Sequence, residues 1–331
     1  MKKIDFVITW VDDTDSKWQE ERRKYTPKNK LSSDNRSARF RDLGTLKYVF
    51  RSIDKYAPWV NKVFLVTEGH LPKWLNKESP KLVTVRHDEF IPKKYLPTFN
   101  SNTIELNIHR IKDLSDNFVL FNDDMILNGL LKPSDFFEHD LPRDFGIYNA
   151  IPPMGEFSNI VMNDMIIINR FFNKRETFKK NWRKFVKISY GEDLVRSLLT
   201  LPWKPNLGYL NYHVVQSHRK TIFKEVWEKN ETVLDNTCMN KFRSWNDVNH
   251  WLMRYWQLEQ GKFIPQKHNF GKYLEIDQPD EIEKVLRQAK VKTLCINDNV
   301  FIDNRKATKT FEIIKSSLEN KFPNKSEFEN R

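Results

Sequence analysis

Across residues 1–150, strand-sized apolar runs alternate with stretches of helical periodicity, and this alternation limits the fold more than any other feature. Ile4–Trp10 reads as a buried strand, Lys62–Thr67 (KVFLVT) as a second, Leu82–Arg86 (LVTVR) as a third and Phe118–Phe121 as a fourth. Between them, Gly44–Tyr56 places Leu46, Val49, Phe50 and Ile53 on one helical face, and Thr103–Ile111 reads as a short helix. Strands separated by helices imply crossover connections and a mostly parallel sheet. No internal repeat or low-complexity linker interrupts the pattern. From residue 151 it turns helical, over Phe171–Val186, Glu192–Leu199, Arg219–Lys229 and Trp245–Gln260, before Lys292–Ile296 and Ala307–Phe322 return to strand and helix. The expected architecture is one α/β domain over 1–331: a Rossmann-like core from 1–150 and 280–331, carrying a largely helical insertion over 151–279. The Phe118–Phe121 strand, apolar throughout, is expected inside the sheet. The closing PNKSEFENR reads as a loosely held tail.

Several function classes fall away. The chain has only nine glycines, and neither G-x-G-x-x-G nor G-x-x-x-x-G-K-[ST] occurs, which argues against a dinucleotide-binding Rossmann enzyme and a P-loop NTPase. H-E-x-x-H, paired C-x-x-C and G-x-S-x-G are absent too, which removes zincins, zinc ribbons and α/β-hydrolases. No apolar run approaches the ~18–20 residues of a membrane span. The opening MKKIDFVITWVDD starts basic, but Asp5, Asp12 and Asp13 break its apolar stretch, unlike a signal peptide. With two cysteines, Cys238 and Cys295, the expected setting is the reducing cytoplasm. A net charge of +12 points to an anionic partner: nucleic acid, a phosphorylated substrate or an acidic membrane face. Ten Trp suit base stacking, sugar binding or a dense core alike.

Four segments place polar groups where open α/β sheets bind ligands, at strand ends. Trp10-Val11-Asp12-Asp13 follows the first strand and could hold a base and a ribose; a solvated turn is the plain alternative. Asn122-Asp123-Asp124 follows the fourth strand, and its hard oxygens suit Mg²⁺ or Mn²⁺. In Asn102–Arg110, Asn102, Glu105 and His109 share a helical face, although Asn102 and Glu105 could simply cap the helix and His109 and Arg110 lie on its surface. In Tyr212–Arg243, His213 and His218 flank Gln216, and Arg219 and Lys220 open an amphipathic helix whose start suits a phosphate. Arg243, alone between Phe242 and Ser244, reads by itself as a surface residue.

Together these segments resemble the Stealth family of sugar-1-phosphate transferases, which includes bacterial capsular polysaccharide phosphotransferases and the animal enzyme that puts GlcNAc-1-phosphate on lysosomal glycoproteins. The resemblance rests on four blocks. IDFVITWVD (Ile4–Asp12) is the first. RFRDLGTLKYVFRSIDKYAPWVNKVFLVT (Arg39–Thr67), continuing through LPKWLN to LPTFNSNTIELNIHRIKDLSDNFVLFNDDMIL (Leu96–Leu127), is the second. HVVQSHRKTIFKEVW (His213–Trp227), followed by Arg243, is the third, and CINDN (Cys295–Asn299) with FPNKSEFE (Phe322–Glu329) the fourth. Two departures stand out. The usual R-D-N-G-E-L reads RDLGTL, and the third block opens His213-Val214-Val215 instead of H-G-P.

The resemblance implies a GT-A-like version of the α/β core. It implies catalytic roles for Glu105, Asp124, His213 and Arg243. It also implies substrate contacts around Trp10, Asp12, Arg39, Arg41, Asp42, Arg51, Asn100, Asn102, His109, Arg110, Asn122, Gln216, Arg219 and Lys220. A divalent cation, Mg²⁺ or Mn²⁺, is expected on Asp123 and Asp124, with Asp298 as a weaker third ligand. The expected base is Asp124 or His213, with Asp124 favoured and His213 then holding phosphate. The implied donor is a UDP-sugar and the implied acceptor a lipid-linked oligosaccharide or polysaccharide, reached by peripheral contact with the inner membrane face. A conventional glycosyltransferase, which would release UDP in place of UMP, is the alternative within enzymes. A basic nucleic-acid-binding protein is the alternative outside them, disfavoured by the lack of any RRM, KH or zinc-finger pattern; nucleic acid is therefore not an expected partner.

Overall fold

The computed structural model describes residues 2–26, 44–298 and 304–330. Its strands, in chain order, are β1 (Ile4–Thr9), β2 (Val63–Thr67), β3 (Leu82–Arg86), β4 (Asn117–Asn122), β5 (Met125–Leu127), β6 (Phe137–Glu138), β7 (Leu141–Asp144), β8 (Gln216–Arg219), β9 (Ile264–Pro265), β10 (Gly271–Glu275) and β11 (Thr293–Asn297). The main sheet has the order β3-β2-β1-β4-β8; β1 to β4 run parallel, and β8 joins antiparallel. Two three-stranded sheets, β10-β11-β5 and β6-β7-β9, complete the set among the described residues.

The apolar strands are continuous because the main sheet is covered on both faces. Phe6, Ile8, Leu65, Val119 and Phe121 point into one core, shared with the helix Leu46–Tyr56 and with Leu318 and Phe322. Val7, Phe64, Val66, Phe118 and Leu120 point into a second core, beneath the helices Glu156–Phe171, Lys220–Met239 and Trp251–Glu259. Each fully buried phenylalanine contributes ~1.5–3 kcal/mol by leaving water. The polar member of β1, Asp5, is buried and satisfied, accepting from Asn61 Nδ2 (2.6 Å) and the Ser115 N–H (2.8 Å). β4 lies between β1 and β8, as expected of an apolar strand, and not at an edge.

Three expectations change. Residues 151–279 are largely helical but not separate from the core: they supply β8 to the main sheet and β10 to the sheet of β11 and β5. Phe171 ends one helix, Glu156–Phe171, and Lys174 starts another, because Asn173 caps the second by accepting from the Arg175 and Glu176 N–H groups. The carboxy-terminal tail is tied down. Phe328 is fully buried, and Glu329 receives Nε and an Nη of Arg51 at 2.8 and 2.9 Å.

The strand order sets the place of a site. From β1 the chain moves outward to β2 and β3, then returns to the other side of β1 as β4. The crevice at such a switch point opens at the carboxyl ends of the two strands.

Candidate active site

At that edge, Asn122 ends β4 opposite Thr9 of β1, and the chain leaves β1 through Trp10 and Asp12. Trp10 is buried, edge-on to His70 at 5.2 Å, and its indole N–H has no partner. His70 Nε2 accepts the Asp12 N–H at 2.8 Å, while the Asp12 carboxylate turns to the N–H and hydroxyl of Thr14.

Asp123 and Asp124 form the turn from β4 into β5. The turn is clamped twice: Thr45 Oγ1 donates to the Asp123 carbonyl at 2.8 Å, and the Ile296 N–H to that of Asp124 at 3.0 Å. The Cys295 thiol donates to Asp124 Oδ2 at 3.4 Å, whereas Oδ1 is buried without a partner. Burial raises the Asp124 carboxyl to about 6 against the pull of the Cys295 bond, and the charge of Asp298 adds to the rise. Burial and the neighbouring carboxylates of Asp124 and Asp123 likewise push the Cys295 thiol far up, so it stays a neutral donor. One side-chain donor atom each from His213, Asp124 and Cys295 lie within 4.8 Å of one another. The His213 ring stands edge-on to Tyr273 at 5.8 Å.

Glu105 comes from the helix Ser101–Asn107. Asn100, not Asn102, caps this helix, accepting the Asn102 N–H at 3.0 Å. Glu105 is thereby free of capping duty, and its Oε2 lies 2.7 Å from His250 Nδ1; His250 Nε2 lies 3.1 Å from Gln216 Oε1. Burial alone would raise the Glu105 carboxyl, but His250, Arg243 and His213 together hold it below the usual carboxylate range. Arg243 donates to Ser101 Oγ at 2.6 Å, on the first turn of the same helix. Its loop is fixed by buried Asp247, which accepts from Asn100 Nδ2 (2.8 Å), Asn102 Nδ2 (3.1 Å), Asn240 Nδ2 (2.8 Å) and the Ser244 N–H (3.1 Å). Glu105, Asp124, His213 and Arg243 thus sit together, with Gln216 behind them and Asn100 and Asn102 bracing the Arg243 loop.

Other expected contacts lie elsewhere. Arg51 is buried and spent on Glu329, Glu319 and the Phe322 carbonyl, because the tail needs a counter-charge there. Arg219 pairs with Asn117 in register, at the amino end of β4, so the helix it opens starts on the far side of the sheet. There Asp116 takes the Arg219 guanidinium at 2.9 Å, and Lys220 donates to the carbonyls of Ile111 and Leu114. His109 is buried beneath Phe223 and Trp227 and driven down to about 3, mainly by burial and by Arg110. Arg110 stacks over Trp227 at 4.9 Å. Arg39, Arg41 and Asp42 lie outside the described residues.

His250, His70 and Asp247 were not legible as site residues. No local motif marks them, and His250 is 145 positions from the carboxylate it meets.

The carboxylates suit a hard divalent cation. Asp124 Oδ1 is buried and unmatched, and Asp298 and Asp123 add negative charge around it. A cation there would satisfy the oxygen and cancel the repulsion. The neighbouring Cys295 offers a soft sulfur, which suits such a hard ion poorly.

Comparison with known proteins defines the class. Residues 2–30 match the family model for Stealth protein conserved region 1, and residues 39–144 that for conserved region 2. The capsular polysaccharide phosphotransferase WcwK of Streptococcus pneumoniae is 46% identical over 100% of this chain and 99% of its own length. The exopolysaccharide phosphotransferase cps2G of Lactiplantibacillus plantarum is 39% identical over 98% of this chain and 96% of its own. The receptor polysaccharide phosphotransferase WefC of Streptococcus oralis is 39% identical over 99% and 100%. Among solved structures, the galactosyltransferase LgtC with donor and acceptor sugar analogues is similar at a TM-score of 0.39 and 10% identity, covering 94% of this chain and 95% of its own. The chain belongs to the Stealth family of polysaccharide phosphotransferases.

Proposed function

We propose that this enzyme transfers hexose-1-phosphate or N-acetylhexosamine-1-phosphate from a UDP-sugar to a hydroxyl of a lipid-linked capsular or cell-surface polysaccharide, releasing UMP. The supporting observation is the gathering of Glu105, Asp124, His213 and Arg243, from four separate segments, at the carboxyl ends of β1 and β4. The acceptor oxygen attacks the phosphorus nearest the sugar. The bond from that phosphorus to the UMP oxygen breaks, and a sugar–phosphate–sugar diester remains. His213 takes the acceptor's proton, because Asp124 carries the unmatched oxygen and is better used as a cation ligand. Arg243 holds the charge that builds on the phosphoryl oxygens. Glu105 is a positioning group: its buried charge keeps Arg243, His213 and His250 turned toward one point. Mg²⁺ or Mn²⁺ held by Asp124, with Asp298 and Asp123 beside it, would supply charge neutralisation to the donor diphosphate. At the end of β1, the unpartnered Trp10 indole N–H and the Asp12 carboxylate are the groups nearest to hand for the uridine.

The test is a donor labelled at the phosphorus nearest the sugar. Label recovered in the polysaccharide supports the transfer. Label recovered only in free nucleotide overturns it.

A further inference from the structure

Away from the site, residues 166–204 carry ten Lys and Arg against three Asp and Glu, a net +7 of the chain's +12. The same stretch exposes Ile188 (94%), Leu199 (67%), Val195 (61%) and Trp203 (54%), with Ile166, Trp182 and Leu198 also in solvent. Within the helix Asp193–Leu199, Val195, Leu198 and Leu199 fall three and four residues apart, so one helical face is apolar and exposed. Soluble surfaces seldom gather large apolar side chains in this way. The stretch is also held together. Lys174 Nζ donates to the carbonyls of Thr200 and Trp203, and Asn169 exchanges hydrogen bonds with Asn206.

We infer that this face docks on an anionic lipid bilayer. Exposed apolar side chains in a stretch with a surplus of Lys and Arg match the boundary between acyl chains and acidic headgroups. Without buried Lys174 the stretch still carries nine Lys and Arg against three Asp and Glu, so a second copy would bring about +6 against +6 and self-association is opposed by charge. The face also connects to the site. Asn159 and Asn163 hold the carbonyl of Trp245, two residues beyond Arg243. From Asn163, the helix Glu156–Phe171 runs through exposed Ile166 to Arg170, about 10 Å along its axis. A bilayer on this face would present a lipid-borne acceptor toward Arg243. The inference rests on the proposed function for the nature of the acceptor, but not for the docking itself.

Flotation of the full chain with vesicles tests it, alongside transfer to a water-soluble acceptor oligosaccharide. Vesicles of phosphatidylglycerol mixed with phosphatidylcholine should carry the protein up at low salt, and pure phosphatidylcholine vesicles should not. Leu199→Ser combined with Trp203→Ser should lower the bound fraction about tenfold, as should Lys179→Glu combined with Lys180→Glu, since each removes part of the apolar or charged contact. Transfer to the soluble acceptor should stay unchanged in both variants. Three results would overturn the docking: wild type left unfloated by anionic vesicles, variants that float as well as wild type, or concentration-dependent dimers that the variants abolish. Vesicle binding without transfer to any acceptor would leave the docking intact and sink the proposed function instead.

Discussion

A guanidinium forks onto two phosphoryl oxygens and stays ionised at any working pH; an ammonium keeps the charge but not the fork. Arg243→Lys is therefore expected to lose ~10²–10³ in rate, the loss typical of removing a fixed transition-state donor. Its melting temperature should stay close to wild type, because buried Asp247 holds the loop through several hydrogen bonds that the substitution leaves in place. Steady-state kinetics with a thermal melt checks both, and a near-normal rate would remove Arg243 from the chemistry. Asp124→Asn bears on the cation. Wild type should bind Mn²⁺ in an electron-paramagnetic-resonance titration and lose activity in excess chelator, while Asp124→Asn should bind it at least tenfold more weakly. Equal Mn²⁺ binding by the two proteins would place the ion elsewhere. A pH–rate profile bears on the base. A cation on Asp124 would keep that carboxylate ionised, so a histidine base should put the acidic limb near ~6.5, and a limb near ~4 would contradict the role given to His213.

Among elements, β1 to β4 and β11 were legible because each is a mostly apolar run, whereas β5 to β10, short or polar, such as Gln216–Arg219, were not. β2, β3 and β4 match the expected runs to within a residue or so. The tail was not legible. PNKSEFENR is polar in composition, and nothing local shows that Glu329 meets Arg51, 278 positions away. The start of the Lys220–Met239 helix misled for a related reason. A basic helix start suits phosphate, but antiparallel pairing of β8 turns it toward the amino end of β4. The Arg51–Glu329 pair makes a quantitative test. Arg51→Met should cost ~3–5 kcal/mol in urea unfolding, since it strands a buried carboxylate. Adding Glu329→Leu should recover most of that loss, because replacing both members of a buried pair is often close to neutral. If Arg51→Met is harmless alone, the pair does not hold the tail.

For the whole molecule, the sheet order places Asp124 and Trp10 at one crevice, and the segment after residue 151 folds back to bring His213, Arg243 and His250 to it. Sequence spacing could not show that meeting, because the partners are joined only through the tertiary fold. The resemblance picked out four of its residues, and the geometry adds the charge network that holds them. On the proposed function, the bond broken joins the two phosphates and not the sugar to its phosphate. The direct measurement is the nucleotide released when the purified enzyme, Mg²⁺ or Mn²⁺, a panel of UDP-sugars and a polysaccharide acceptor are combined, with UMP and UDP quantified separately in one chromatogram. UMP is expected in equal amount to new phosphodiester, with no UDP above the enzyme-free control; UDP released in step with product would overturn the proposed function.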